Sequence, residues 1–150
     1  MKKNSKVSVA LHALVHLIKM NRPVTSEELG SCQQTNPVII RRILGEFKKA
    51  GIVDSEKGHG GGWIVLRDPS KISFLEIFDL LDESLLPSPL KLDPDEHCLI
   101  MNSMADVMDE FLEEALPLLR KGLSKVTIED ISKKITAEKI DEFISKNSLR

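Results

Sequence analysis

The chain has 150 residues, is 41% hydrophobic and carries a formal net charge of −2, which allows one real core with an appended helical part. No apolar run reaches the 18 residues a membrane span needs, the first helix is broken by His12 and His16 and lacks a cleavage site, and two cysteines make no disulfide framework. The expectation is a cytoplasmic protein with reduced thiols, no membrane partner, no internal repeat and no low-complexity segment.

The overall charge hides an asymmetry. Residues 1 to 71 carry 12 Lys and Arg against 6 Asp and Glu, a net of +6, whereas residues 72 to 150 carry 9 against 17, a net of −8. A basic first half suits a polyanion, and an acidic second half must face away from it.

In chain order, Ser5 caps a helix carrying Val9, Leu11, Leu14, Val15, Leu17 and Ile18, which is apolar on more than one face and reads as scaffold packed on two sides. His12 and His16 stand at metal-ligand spacing, but without an accompanying Glu they read as core or interface histidines. Thr25-Ser26-Glu27-Glu28 has the capping-box form and opens a short helix through Leu29. A turn from Ser31 to Thr35 leads to a second helix, with Asn36 as cap, Pro37 at the first position and Gly51 as the left-handed stop after Ala50. Ile40, Ile43, Leu44 and Phe47 form its buried stripe, and Arg41, Arg42, Gly45, Lys48 and Lys49 fall on the other side. This is helix-turn-helix spacing, in which the first helix braces against phosphates and the second enters the major groove.

The run Ala50 to Leu66 then reads as a strand, a glycine-rich tip and a return strand. Four of the five residues from Gly58 to Gly62 are glycine, so the tip can turn sharply and lie close to another backbone. A phosphate loop would open a helix and carry a Lys-Ser or Lys-Thr pair, and here a strand follows. A helix feeding such a ribbon is the recognition half of a winged helix. His59 and Asp54 are assigned to DNA proximity and solvent.

The second half reads as helices. Ser73 caps a segment through Phe74, Leu75, Ile77, Phe78, Leu80 and Leu81, ended by a loop from Ser84 to Leu92. Asp93-Pro94-Asp95-Glu96 repeats the helix-start pattern, and a long helix from Asp93 to Arg120 carries Leu99, Ile100, Met104, Val107, Met108, Phe111, Leu112, Ala115, Leu116 and Leu119, with Pro117 expected to kink or end it. One small winged domain is too small to cover that stripe, so a twofold dimer is expected. Thr127 and Thr136 open two short terminal helices.

Glu28-Leu29 through Ile43-Leu44, Ala50-Gly51-Ile52-Val53, Ser55, Lys57-Gly58, Gly61-Gly62-Trp63, Pro69 and Ile72 to Ile77 together resemble the Rrf-two family of bacterial winged-helix regulators, to which the iron–sulphur-cluster regulator belongs. The match covers roughly residues 1 to 120. It implies a homodimeric transcriptional regulator, usually a repressor, whose long helix crosses to the other subunit. The recognition helix would carry over to Thr35 through Arg42 and the wing to Lys57 through Gly62. Cluster-binding members place three cysteines before and at the start of the long helix, whereas this chain has only Cys98 there, and Met101 where a ligand histidine could stand. Clusters need about four ligands, so no cofactor is expected.

The resulting expectation is a mainly α chain with a small β-wing: a winged helix-turn-helix at residues 1–83, then a dimerisation helix and C-terminal helices at 84–150. Palindromic double-stranded DNA would meet Thr25, Ser26, Thr35, Asn36, Pro37, Val38, Arg41, Arg42, Lys57, Gly58, His59 and Gly60. Cys32, in the helix-turn-helix turn, and Cys98 are either a redox switch, at Cys98 or through a Cys32–Cys98 bond across the dimer, that shifts the reading heads, or two inert buried thiols. At Cys98 the helix start and His97 favour the thiolate, and Asp95 and Glu96 oppose it. A small-molecule signal is the alternative to redox. A protein-interaction module would place basic residues off the recognition face, against Arg41 and Arg42, and no nucleophile motif or carboxylate pair supports an enzyme.

Overall fold

The computed structural model describes residues 5–86, 92–136 and 138. Helix α1 (Lys6–Met20) starts where the Ser5 hydroxyl accepts the Ser8 amide at 3.2 Å and stops at Asn21, which takes the left-handed conformation with φ 48°. Val7, Val9, Ala10, Leu11, Ala13, Leu14, Val15 and Leu17 are all buried, so the helix is apolar around most of its girth and packs against several elements at once. It is the post around which the body is built.

Helix α2 (Ser26–Gln33) and helix α3 (Pro37–Lys49) follow, and Ile40, Ile43, Leu44 and Phe47 of α3 enter the core. Gly51 ends the second helix with φ 69°, as its sequence position implies. Strands β1 (Val53–Glu56) and β2 (Gly62–Val65) pair antiparallel, with Val53 opposite Val65 and Glu56 opposite Gly62. Val24 bridges to Trp63 as a one-residue third strand, through hydrogen bonds of 2.9 and 3.1 Å. A short 3₁₀ turn (Pro69–Lys71) leads to α4 (Phe74–Leu80), capped by Ser73.

Helix α5 (Leu99–Leu123) is the longest element, and α6 (Ile128–Lys133) opens at a Thr127–Asp130 capping box. Ile128 is fully buried in the main core, its amide donates to the Ile72 carbonyl at 3.0 Å, and Phe74 N–H donates to Val126. The chain therefore returns after α5 to complete the winged-helix body. Helix α5 leads away from the preceding elements, and α6 packs back against α1 and the 3₁₀ turn. The helix expected after Thr136 lies outside the described residues.

Three local expectations change. The turn at Asp95, where its side chain accepts the His97 amide and its carbonyl accepts Cys98 N–H, satisfies itself, so the long helix starts at Leu99 with Cys98 as cap rather than at Asp93. Pro117 does not end α5, because Pro117 and Glu113, whose carbonyl loses its partner, both face solvent. Helix α2 runs four residues past Leu29, drawn on by the burial of Gly30 and Gln33, which puts Cys32 in its last turn and not in the connecting turn.

Candidate nucleic-acid interface

The two helices of the α2–α3 unit are locked by close packing at their turn. A Cβ on Gly30 would stand 2.7 Å from the Thr35 carbonyl and 3.0 Å from the Pro37 ring, so only glycine permits this approach. Gln34 takes the left-handed conformation and donates its N–H back to α2, while the Asn36 side chain accepts the Val38 amide at 2.9 Å and starts α3. At the other end, Thr25 and Glu28 form the expected capping box, with bonds of 2.8 and 3.1 Å. Arg22 hydrogen-bonds Glu28 at 2.8 Å, and that bond, with the Thr25 amide, holds the Glu28 carboxyl down at about 2.

The outer surface of α3 presents Val38, Arg41, Arg42, Lys48 and Lys49 to solvent, with Asn36 exposed and Thr35 and Pro37 half-buried at its start. Its cations differ in how free they are. Arg41 pairs with Glu27 of α2, Lys48 reaches Asp54 and the Ser55 hydroxyl of β1 at 2.7 Å each, and Lys49 pairs with Glu46 at 2.9 Å. Arg42 makes no ion pair with any described residue. Asp54 faces Lys48, whose hydrogen bond holds its carboxyl below the usual range, and its side chain stays half-exposed.

In the wing, Lys57, Gly58, His59 and Gly60 are exposed at the tip, and Gly58 and Gly60 adopt φ of 103° and 83°. Gly62 is needed for a different reason: a Cβ there would lie 2.7–2.8 Å from the Val24 backbone, so it lets the wing dock on the segment before α2. Trp63 completes that docking, its indole N–H donating to the Ser26 hydroxyl at 3.0 Å. Ser26 is only 4% exposed and already engaged, which corrects its placement among surface contacts: it fixes the wing against α2 and does not face outward. Sequence spacing carried no signal for this bond, nor for the Arg41–Glu27 pair, because both join residues on different elements.

A family model described as "Rrf2: Iron-dependent Transcriptional regulator" matches residues 3–134. The chain belongs to the Rrf2 family. Over 128 residues it is 29% identical to the HTH-type transcriptional regulator YwnA of Bacillus subtilis, spanning 85% of this chain and 95% of that one. Among solved structures, the fold matches T. potens IscR with a TM-score of 0.64 at 22% identity, over 89% and 88% of the two chains. It also matches CymR, titled the global cysteine regulator of B. subtilis, with a TM-score of 0.63 at 18% identity over 91% and 99%. This Rrf2 chain is thus a transcriptional regulator with the family's winged-helix fold, and its relatives are regulators, not enzymes. No described helix is long and apolar enough to cross a membrane.

The family's description names iron, and the donors this chain offers are few. This Rrf2 chain has two cysteines in all, and residues 87–91 add no Cys, His, Asp or Glu. Cys98 Sγ accepts the Met101 amide at 3.5 Å as the cap of α5, and no group of three His, Cys, Asp or Glu among the described residues is placed to hold a metal. The residues present do not fit an iron–sulphur cluster.

Proposed function

We propose that this chain is a homodimeric, sequence-specific DNA-binding repressor of the cytoplasm, with α3 in the major groove and the wing against the minor groove of a palindromic operator. The observation that carries it is the α2–α3–wing unit, in which Gly30 and Gly62 lock the geometry while Arg42 and the tip residues stay exposed. Arg41, Arg42 and Val38 read base edges, Thr25, Thr35, Asn36 and Pro37 meet the backbone at the helix starts, and Lys57, Gly58, His59 and Gly60 follow the minor groove. Family membership supports DNA as the partner.

The dimer reading rests on α5. Only Ala105 and Leu112 of its 25 residues are buried, and Ile100, Met104, Val107, Phe111 and Leu118 stand exposed in a seam of heptad-like spacing. An apolar seam of this length is covered by a second copy of the same helix, which sets the two recognition helices about one DNA turn apart. Footprinting on the DNA upstream of the chain's own gene tests the whole reading: the expected result is a protected inverted repeat bound by a dimer, and protection that does not depend on sequence would overturn it.

A thiol signal is the regulatory reading favoured by a specific observation. Cys32 is exposed and Cys98 half-buried, so they are not two sealed core thiols. A change at either end of the α2–α5 frame would alter the spacing that a palindrome measures.

A further inference from the structure

We propose that α4 sets the half-site spacing of the operator, because it holds the end of the recognition helix through Arg67 and the long helix through Arg120. The proposal rests on the functional reading above and names the residues that decide which operators fit. Arg67, just past β2, reaches in two directions. One arm of its guanidinium donates to the carbonyl of Ala50, the residue that ends α3, and the other donates to the Glu76 carboxylate in the first turn of α4 at 2.5 Å. A guanidinium is a planar fork that keeps its charge, so one side chain serves both partners. The backbone fixes where that fork starts: Leu66 and Arg67 both donate their amides to the Ile52 carbonyl, at 2.9 and 3.3 Å, which pins the exit of the wing to the chain leaving α3.

Three residues along α4, at a neighbouring position on the same side, Asp79 meets α5. Both of its oxygens accept from the Arg120 guanidinium, each at 3.0 Å. A two-pronged bond of this kind fixes direction as well as distance. Surface pairs add little to stability, and this one is about half exposed, so its value lies in orientation. The backbone stitches the same elements together: Phe74 N–H donates to Val126 just after α5 at 2.9 Å, and Ile128 N–H donates to Ile72 just before α4 at 3.0 Å. The C-terminal end of α5 is thus anchored to the helix that also holds the end of α3.

A palindrome is read by two copies of α3, and their separation follows the path from α3 through α4 to α5 in each copy. The side-chain joints of that path are Arg67–Glu76 and Asp79–Arg120. Neither pair lies on the outward face of α3, so loosening one changes an angle and not a base contact. Because α5 has 25 residues and is about 37 Å long, a small change of angle at its end is magnified along it.

The test titrates wild type, Arg120→Ala and Asp79→Asn with the footprinted operator and with derivatives that have one base pair added or removed between the half-sites. The expected result is that both variants lose about three- to fivefold of the wild-type preference for the native spacing, while affinity for a single half-site changes by less than about twofold. A merely structural role lowers affinity at every spacing alike; an unchanged preference in both variants overturns the inference. A second measurement needs neither DNA nor a dimer: the distance between spin labels on Lys49→Cys of α3 and Asp109→Cys of α5, in the full chain with both native cysteines replaced by serine and labelled chains diluted into an excess of unlabelled ones. Arg120→Ala and Arg67→Lys are each expected to broaden or shift the distance distribution, and identical distributions in both would overturn the inference. Failure of the wild type to bind the operator at any spacing contradicts the functional proposal, and the spin-label distances still decide whether α4 joins the two helices.

Discussion

The winged-helix body and the long helix α5 bury their apolar residues on opposite terms. In the body, Phe47, Leu14, Leu29, Ile40, Leu44, Ile72, Ile77 and Ile128 are fully buried within one chain. On α5, Leu99, Ile100, Val107 and Phe111 are 81%, 72%, 67% and 56% exposed. Exposed apolar residues scattered singly need no explanation, but a seam on one helix does. The body buries its apolar residues within one chain, and α5 leaves its seam exposed.

That difference can be broken by a matched pair of substitutions. Phe47→Ala is expected to lower unfolding stability by about 3–5 kcal/mol, the range for a buried phenylalanine, while leaving any surviving folded protein dimeric. Phe111→Ser is expected to do the reverse: a dimer seen to dissociate by analytical ultracentrifugation, with monomer stability changed by no more than about 0.5 kcal/mol. Denaturant melts of both variants check the first half of the pair, and a Phe111→Ser protein that stays dimeric would remove the second copy from α5.

Two glycines sharpen the contrast within the body itself. Gly62→Ala puts a Cβ within 2.8 Å of the Val24 backbone, so the wing must shift off α2 and take Trp63 with it. The expected loss is about 1–3 kcal/mol, with a change in the tryptophan fluorescence that reports the single Trp63. Gly45, in the middle of α3, has open space around it. Gly45→Ala should therefore stabilise the helix by about 0.5–1 kcal/mol. Stabilisation together with weaker DNA binding would show that this glycine serves a close approach of the phosphate backbone.

The smallest effect expected is at Glu27. Its pair with Arg41 lies on the protein surface, where such pairs are worth about 0.2–1 kcal/mol, and it must open before Arg41 can reach DNA. Glu27→Gln is accordingly expected to tighten operator binding by about two- to fivefold, read by fluorescence anisotropy at fixed salt. Unchanged affinity would mean that Arg41 stays on Glu27 in the complex.

How far the sequence could be read follows the same division. Local rules were enough for the body: the Ser5, Thr25, Asn36 and Ser73 caps, Pro37 at the start of α3 and Gly51 at its end all act within a few residues, and each is found in place. The start of α5 was misread for a local reason too, because Asp95 spends its side chain on a free-standing turn and leaves the cap to Cys98. What lay out of reach joins distant parts of the chain. Ser26 meets Trp63, His12 meets Cys32, Arg41 meets Glu27, and Ile128 returns to the core beside Ile72. Periodicity can show that Ser26 or Cys32 sits on a helix, but not which neighbour the fold brings to it. The return of α6 puts Ile128 in the core, so the acidic half is to be probed by surface substitutions and not by deleting α6.

The central claim is that the outward face of α3 reads DNA, and the most direct measurement is the affinity of Arg42→Ala for the footprinted operator, taken as a salt titration. Arg42 is exposed and makes no ion pair with a described residue, so its replacement leaves the fold untouched. The account predicts a loss of about 1–3 kcal/mol in binding with the dimer intact, and a salt dependence that falls by about one counterion if the contact is to phosphate. Wild-type affinity and an unchanged salt slope in Arg42→Ala would contradict the assignment of α3 as the recognition helix.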